Sequence, residues 1–556
     1  MHRCLCVPEI LSLICAEFSS DCPYSLPTRD GNALASLART SKSWSEPALE
    51  VLWRSIDGIE KLFPELQSLL HEDEPEMLSL QRCLTAAEMN VFKKNAARIR
   101  DFEESDGKYN ALYPVLFGYG YGSSLLPNLR RLNWQVSTPE AFPYFRLLLC
   151  PNLKELRLCI QEEIVFEQLN SLKTLSIPSS SPTVGPLPKI SQLELCLNDI
   201  PISQFPSALS ARKELLNVLH SWSQLTDLDI DEMPLESLGC IVSLPNLKRL
   251  KFVGELDPPL HLYPLPIPFR PQAMPPSLEP PCPLLEDLSI YQVPLSIIDN
   301  MFKVLIRVHL KNLAFAFGTD HYDPDEDIMP LLNNLDRHID PYTLESITLS
   351  CCFNVEFPTF IVPLLKFHRL REVSLDAAPF ESIPEMPMSQ VATSWPLIEA
   401  LRIRSSQAEQ QGWDWESPPS QDAASSFTLI SLIPLAKECR NLRLLSLTVA
   451  ADSETQDVIE RNPHMIEGVE NSSLRGLLLS EESLIADNEE FVAAFLSSLF
   501  PALDNVTHDV FGWSDEEPSS DILGWRRVGE LLRTQNREKR SERFDAQNDK
   551  PYSRPR

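Results

Sequence analysis

PNLRRLNW (127–134) and PNLKELRL (151–158) are two copies of one phrase, L-x-x-L-x-(L/I/F/W), set behind a Pro-Asn corner. The phrase returns as SLKTLSI from Ser171, KISQLEL from Lys189, QLTDLDI from Gln224, PNLKRLKF from Pro245, LLEDLSI from Leu284 and VLIRVHL from Val304. TLESITL from Thr343, RLREVSL from Arg369, LIEALRI from Leu397, NLRLLSL from Asn441 and SLRGLLL from Ser473 bring the copies to 13. ALDNVTH, from Ala502, is a degraded fourteenth.

The spacing dictates a conformation. The second and third apolar positions lie two residues apart, so on a strand they share one face. The residue between them, often Arg, Lys, Glu, Asp or Ser, faces the other way. The first apolar position turns inward as the chain enters the strand. One unit cannot bury its own apolar side, whereas stacked units can, as a continuous parallel sheet. First positions are separated by 18 residues (Leu172 to Ile190) up to 44 (Ile398 to Leu442). Short intervals match a leucine-rich-repeat period, and long ones require inserts or extra helices. Helical spacing precedes strands at Leu215, Leu216, Leu219 and Trp222, at Leu331, Leu332 and Leu335, and at Phe491, Phe495, Leu496 and Leu499. The expected fold class is therefore α/β, a leucine-rich-repeat-like solenoid with a parallel sheet and outer helices over residues 99–524. Residues 257–283, with eleven prolines, read as an extended insert. Residues 405–426, polar around Trp413 and Trp415, read as a second insert, a loop.

Composition narrows the partners. Apolar residues are 43% of 556, enough for a sizeable core and incompatible with disorder throughout. Lys and Arg number 49 against 78 Asp and Glu, a net charge of −29. Such a charge repels a phosphate backbone and an anionic bilayer, so no nucleic acid and no membrane is expected as a partner. It points instead to a basic partner surface, through steering more than affinity. The 13 cysteines are too sparse for a disulfide scaffold and hold no C-x-x-C pair, which fits a reducing compartment, cytoplasmic or nuclear. In MHRCLCVPEILSLICAEF (1–18), Pro8 and Glu9 interrupt the apolar run, so this stretch is read as a folded helix and not a secretory signal. The sequons at Asn471 and Asn505 are then read as chance matches.

Residues 5–53 read as three short helices. The first opens with Pro8 and continues through Ile10, Leu11, Ile14 and Phe18. The second starts near Gly31 with Leu34, Leu37 and Ala38 on one face. The third has Ser45 as its N-cap and Pro47 in its first turn, and carries Ala48, Leu49, Leu52 and Trp53. The stretches CVPEILSLI (6–14) and ALASLARTSKSWSEPALEVLWRSI (33–56), with GIEKLF (58–63) soon after, resemble the F-box domain of fungal F-box proteins. TAAEMNVFKKNAARIRDF (85–102) is similar to the helix-then-strand lead-in to the repeats of such proteins. Cys6-Val7 stands where the common F-box pattern has Leu-Pro. The resemblance implies an F-box over residues 1–56, followed by a helical linker over 57–98. It further implies docking onto a Skp-type adaptor and, through it, a cullin. The adaptor-binding residues would be Val7, Pro8, Glu9, Ile10, Leu11, Ile14, Leu34, Leu37, Leu49, Leu52 and Trp53. Physical chemistry runs beside that expectation. A segment of about 50 residues without disulfides or metal is marginal alone. Its apolar residues must pack on the repeats or meet a partner. Leu37, Leu49 and Leu52 fit a core equally well, and Trp53 fits either role.

No bond chemistry is legible. His71-Glu72 lacks a second His at zinc-helix spacing, and the glycines of 118–122 lack the Lys of a phosphate loop. Asp323, Asp325 and Asp327 begin like a calcium loop, but Ile328 and Asn334 stand where Gly and Glu are needed. No catalytic residue, cofactor or metal is expected. Residues 525–556 carry ten Lys or Arg against five Asp or Glu. Trp525, Val528, Leu531 and Leu532 there read as a helix capping the last repeat before a basic tail. The expected function is the substrate-recognition subunit of an SCF-type cullin–RING ubiquitin ligase, the solenoid holding an unknown protein substrate. The alternative is a non-catalytic repeat scaffold or ligand-binding protein outside the ubiquitin system, its first helices serving only as a cap.

Overall fold

The computed structural model describes residues 7–20, 28–29, 31–62, 70–74, 77–80, 85–104, 113, 116, 124–136, 142–160, 190–196, 224–231, 241, 244–254, 284–293, 295–305, 308–317, 327–351, 357–377, 386–405, 427–480, 483–486, 488–508 and 519–548. The SLKTLSI copy, the helical pattern at Leu215–Trp222, the glycines of 118–122, Trp413 and Trp415, and the insert at 257–283 lie outside them. The chain forms two compact units, Met1–Pro276 and Ser277–Arg556.

The first unit opens on three helices, α1 (Pro8–Ala16), α2 (Gly31–Thr40) and α3 (Lys42–Leu52). Its sheet comprises β1 (Ser55–Asp57), β2 (Asp101–Glu104), β3 (Arg131–Val136), β4 (Glu155–Ile160), β5 (Gln192–Cys196), β6 (Asp227–Asp231) and β7 (Arg249–Val253). Each of these strands pairs in parallel with the next in sequence. The pairing has no slips, so Phe102, Leu132, Leu156, Leu193, Leu228 and Leu250 fall in one row. The rows of second and third apolar positions are buried, as are the first positions Leu129, Leu153, Ile190, Leu225 and Leu247. At about 1.5–3 kcal/mol for each fully buried aliphatic side chain, these rows are the main source of stability.

Between repeats the backbone is stitched at the same point each time. The carbonyl of Arg54 accepts from the N–H groups of Arg100 and Asp101, at 2.7 and 2.9 Å. Arg100 does the same for Arg130 and Arg131, at 2.6 and 3.0 Å. The Pro-Asn corner has a matching role. Asn128 Nδ2 donates to the Ala97 carbonyl at 2.8 Å, and Asn152 Nδ2 to the Pro127 carbonyl at 3.2 Å. At these two corners the asparagine ties its repeat to the one before it.

The ladder starts earlier than its readable copies. Ile99, Phe102 and Glu104 occupy the three inward positions of β2, with Glu104 accepting from the Tyr113 hydroxyl at 2.8 Å. Trp53 and Ile56 occupy the first two inward positions of β1, and Gly58, at φ +98°, stands at the third. The expected helical linker at 57–98 is only partly helical. A 3-10 turn (Ile59–Leu62) is followed by an antiparallel hairpin, Leu70–Glu74 with Met77–Leu80. Met77-Leu-Ser-Leu alternates as a strand, which explains the departure. Helix α4 (Ala86–Ala96) then begins with a capping box: Thr85 Oγ1 accepts from Glu88 N, and Glu88 Oε2 accepts from Thr85 N at 2.7 Å. The helix-then-strand lead-in is present as α4 and β2.

The second unit contains β8 (Asp287–Tyr291), β9 (Asn312–Ala316), β10 (Ser346–Cys351), β11 (Glu372–Ala377), β12 (Ala400–Ser405), β13 (Leu444–Leu447), β14 (Gly476–Leu479) and β15 (Asn505–His508), again all parallel neighbours. Helices α5 (Leu295–Val304), α6 (Met329–His338), α7 (Phe357–Ile361), α8 (Met386–Ser394), α9 (Leu432–Glu438), α10 (Ser453–Arg461) and α11 (Glu489–Leu499) fill the connections. The core lies between helices and sheet; Phe302 of α5 meets Phe315 of β9 edge to face at 5.6 Å. The helical patterns read at Leu331–Leu335 and Phe491–Leu499 lie in α6 and α11.

One copy is out of phase. VLIRVHL was expected to place Val308 and Leu310 on a strand, but the strand is β9, with Leu313 and Phe315 inward and Leu310 at the first position. Val304 still belongs to α5, and Val308 forms only an isolated bridge to Ile339. Two overlapping matches compete here, and LKNLAF wins because Phe315 reaches Phe302. The degraded fourteenth copy is a true strand, β15, with Val506 and His508 in the inward rows. Helix α12 (Ser520–Asn548) covers it, burying Trp525, Val528 and Leu532, with Leu531 half-buried. The basic Arg537–Arg540 run, expected in a tail, lies in this helix.

Candidate protein-docking surface

The helical trio has its own small core. Helix α3 packs on both α1 and α2. Cys15, Leu34, Ala48 and Val51 are buried together, and Leu37, Ala38, Trp44 and Leu52 pack around them. Burial pushes the Cys15 thiol up, keeping it a neutral core group. Val7 caps α1: its carbonyl accepts from Ile10 N and Leu11 N, both at 3.1 Å. Pro8 sits in the first turn, where a missing N–H removes no helical bond.

Helix α3 begins a turn earlier than expected. Ser41, extended at φ −159° and ψ 160°, is the N-cap in place of Ser45, and Pro47 falls in the second turn. The extra turn brings Trp44 onto the trio's core, which compensates for the helical bond that Pro47 cannot make.

The expected docking residues separate into three groups. Leu11 and Leu34 are fully buried within the chain, so neither faces outward as expected of a docking residue, and Leu34 belongs to the trio's core. Leu37, Leu49, Leu52 and Trp53 are half-buried, and Trp53 stands at the first inward position of the sheet's opening strand. Val7, Pro8 and Glu9 are exposed, with Ile10 and Ile14 half-buried beside them. Sequence reading missed Leu13, which is 69% exposed, and Phe18, at 37%. The available signal was Leu11 and Cys15 at i, i+4 spacing, which defines the buried stripe and turns Leu13 outward. Ile10, Leu13 and Ile14, three and four apart, then share one side of α1, with the 38% exposed Val7 a turn below.

The trio is tied to the start of the ladder. Glu46 of α3 accepts from Lys94 Nζ at 3.3 Å and from Arg98 Nη2. The hydrogen bond from Arg98 is the main reason the Glu46 carboxyl is held below its ordinary value.

The outward rows of the first unit's sheet carry paired charges. Arg131 meets Glu155 at 2.6 Å, Arg157 meets Glu194 at 3.1 Å, Lys251 meets Asp229 at 2.9 Å, and Arg249 meets Asp227. The corresponding row in the second unit begins Ser289, Ala314, Thr348 and Ser374, all small and uncharged. Among the described residues no group of three or more His, Cys, Asp or Glu is placed to hold a metal ion. No helix among them is long and apolar enough to cross a membrane. Asn471, read as a chance sequon, is buried. No family model matches the chain, and no curated protein does.

Proposed function

We propose that the chain is the substrate-recognition subunit of an SCF-type cullin–RING ubiquitin ligase. The α1–α3 trio binds a Skp-type adaptor and the repeat array holds a protein substrate. The observation that carries this reading is the side of α1 formed by Val7, Ile10, Leu13 and Ile14. The helix already has a core of its own, yet leaves these apolar side chains partly or largely uncovered. A row at i, i+3, i+6 and i+7, on one side of a helix, suits a helix lying in a partner's groove. In this role the chain performs no bond chemistry; it raises the local concentration of substrate lysines near a ubiquitin carrier supplied by other subunits.

The test is capture of recombinant Skp-type adaptor by the full-length chain and by a Val7→Asp/Leu13→Asp double variant. Both substitutions are at exposed positions, so the fold is retained. Adaptor binding to the parent and a loss of at least about tenfold in the variant are expected, because a buried unpaired carboxylate costs more than about 1.4 kcal/mol. Failure of the parent chain to bind the adaptor overturns the reading.

A second reading, a repeat scaffold whose first helices are only a cap, is favoured by one observation. The trio runs straight into the ladder, since Trp53 and Ile56 fill its first inward positions. On that reading the parent binds no adaptor, and the double variant differs from it in no binding property.

A further inference from the structure

Among the described cysteines, two stand side by side on the outward face of the first unit's sheet. Cys159 of β4 and Cys196 of β5 are register partners in a parallel pair, so both side chains leave the sheet on the same side. Neither is in a disulfide; Cys159 is half-buried and Cys196 is nearly covered. Arg157 lies two residues before Cys159 on that face, and Glu194 two before Cys196, joined to each other at 3.1 Å. Cys196 Sγ is 3.6 Å from Glu194 Oε1, and Asp231 of β6 adds a further carboxylate. By contrast Cys15, Cys150 and Cys439 are fully buried, and burial pushes each thiol up.

We propose that Cys159 and Cys196 are a peroxide-reactive dithiol that closes to a reversible disulfide stitching β4 to β5.

The environment divides the labour between the sulfurs. A hydrogen bond from Cys196 and the charge of Arg157 draw the Cys159 thiol down, towards thiolate near neutrality. Cys196, facing that sulfur and two carboxylates, is pushed far up and keeps its proton. Cys159 is thus the nucleophile and Cys196 the resolving thiol. The Cys159 thiolate attacks one oxygen of hydrogen peroxide. An S–O bond forms, the O–O bond breaks, and the departing hydroxide takes a proton to become water. Cys196 then passes its proton to Glu194 and attacks the sulfenic sulfur. The S–S bond forms, the S–O bond breaks, and the leaving hydroxide takes that proton from Glu194 to become the second water. Two thiols are oxidised by two electrons and one peroxide is reduced.

Geometry permits the closure. Neighbouring strands lie about 4.7–4.9 Å apart, inside the roughly 4.4–6.8 Å Cα window of disulfides. The Cβ atoms must approach to about 3.8 Å, so the bond forms under strain and is readily reduced.

The full-length reduced chain is treated with graded hydrogen peroxide, its remaining thiols are alkylated, and its peptides are mapped without reductant. A Cys159–Cys196 linked peptide, two hydrogens lighter than the separate thiols, is expected. Loss of free Cys159 should be at least about tenfold faster than loss of Cys150 or Cys439, because thiolate fraction and access set the rate. In Cys196→Ser the reaction should stop at a Cys159 sulfenic acid, trapped by a dimedone-type probe. Three results in the parent chain overturn the proposal: no preferential oxidation of Cys159, oxidation that halts at a sulfur oxyacid without a cross-link, or linkage to another cysteine.

Discussion

Arg98, one residue past the C-cap of α4, donates its guanidinium N–H to the Glu46 carboxylate in the middle of α3. This pair joins the helical trio to the element that leads into β2. The folded Glu46 carboxyl titrates below its ordinary value of 4.5, so the stabilisation is fully present above that value and is lost as pH falls through the lower folded value. Glu46 is largely exposed, which limits the contribution to under about 1 kcal/mol. Glu46→Gln should therefore lower the denaturation midpoint slightly at about pH 7, and the parent should lose this advantage as pH falls below 4.5 through the folded value. An advantage that grows on acidification would contradict the pairing.

Leu11 and Leu13 sit two residues apart on α1, one fully buried and the other 69% exposed. Leu11→Ala should weaken the trio by about 2–5 kcal/mol, the cost of a lost core side chain and its cavity. Leu13→Ala should change stability by no more than about 0.5 kcal/mol. Hydrogen exchange of the α1–α3 amides reads both effects, and equal loss of protection in the two variants would refute the assigned face.

The phase of the β9 repeat makes a sharp contrast. Phe315 is inward and packs on Phe302, while Ala314 is on the outward row. Phe315→Ala should cost about 3–5 kcal/mol, and Ala314→Ser should fall within about 0.5 kcal/mol. If VLIRVHL were the strand, a Phe315 truncation would be nearly silent in urea melts.

These contrasts show how far pattern alone reached. The repeat was legible because period-two alternation with a buried first position leaves one strand register open, and most copies follow it residue for residue. It failed at Val304–Phe315, where two matches overlap and only the tertiary contact of Phe315 with Phe302 decides between them. It also missed the opening strands, since Glu104 and Gly58 stand where an apolar third residue was sought. In the helices, spacing located α1 and α2, and Leu11 with Cys15 at i, i+4 marked the buried side of α1. It placed the start of α3 a turn too late, because Trp44, which packs against the trio's core, lies before the Ser45 cap it read.

Asn471 shows what a corner asparagine is worth. It is buried, donates to the Cys439 carbonyl at 2.7 Å, and accepts from Ser473 N and Leu474 N at 2.8 and 3.3 Å. Asn471→Ala leaves those backbone groups unsatisfied away from water, at a cost of about 1–3 kcal/mol for each group left without a partner. Thermal unfolding of the full chain should show a clear fall in midpoint. Ser473→Ala, which keeps the backbone donor, should show almost none.

His508 takes a place in β15 that an apolar side chain fills in the neighbouring strand, Leu479 of β14. Burial, with a smaller effect from the Arg526 charge, holds the imidazole below its ordinary value of 6.5. The folded chain therefore resists a proton that the unfolded chain accepts. Above pH 6.5 both states are neutral and the group contributes nothing to pH dependence. As pH falls below 6.5 the unfolded state gains protons first, and stability declines until the folded pKa is passed. His508→Leu removes this decline and restores an apolar row. The stability of the variant over the parent should widen between about pH 7.5 and about pH 5.5, as followed by urea midpoints. A gap that narrows on acidification would mean that the imidazole is charged in the folded chain and that a carboxylate has been overlooked beside it.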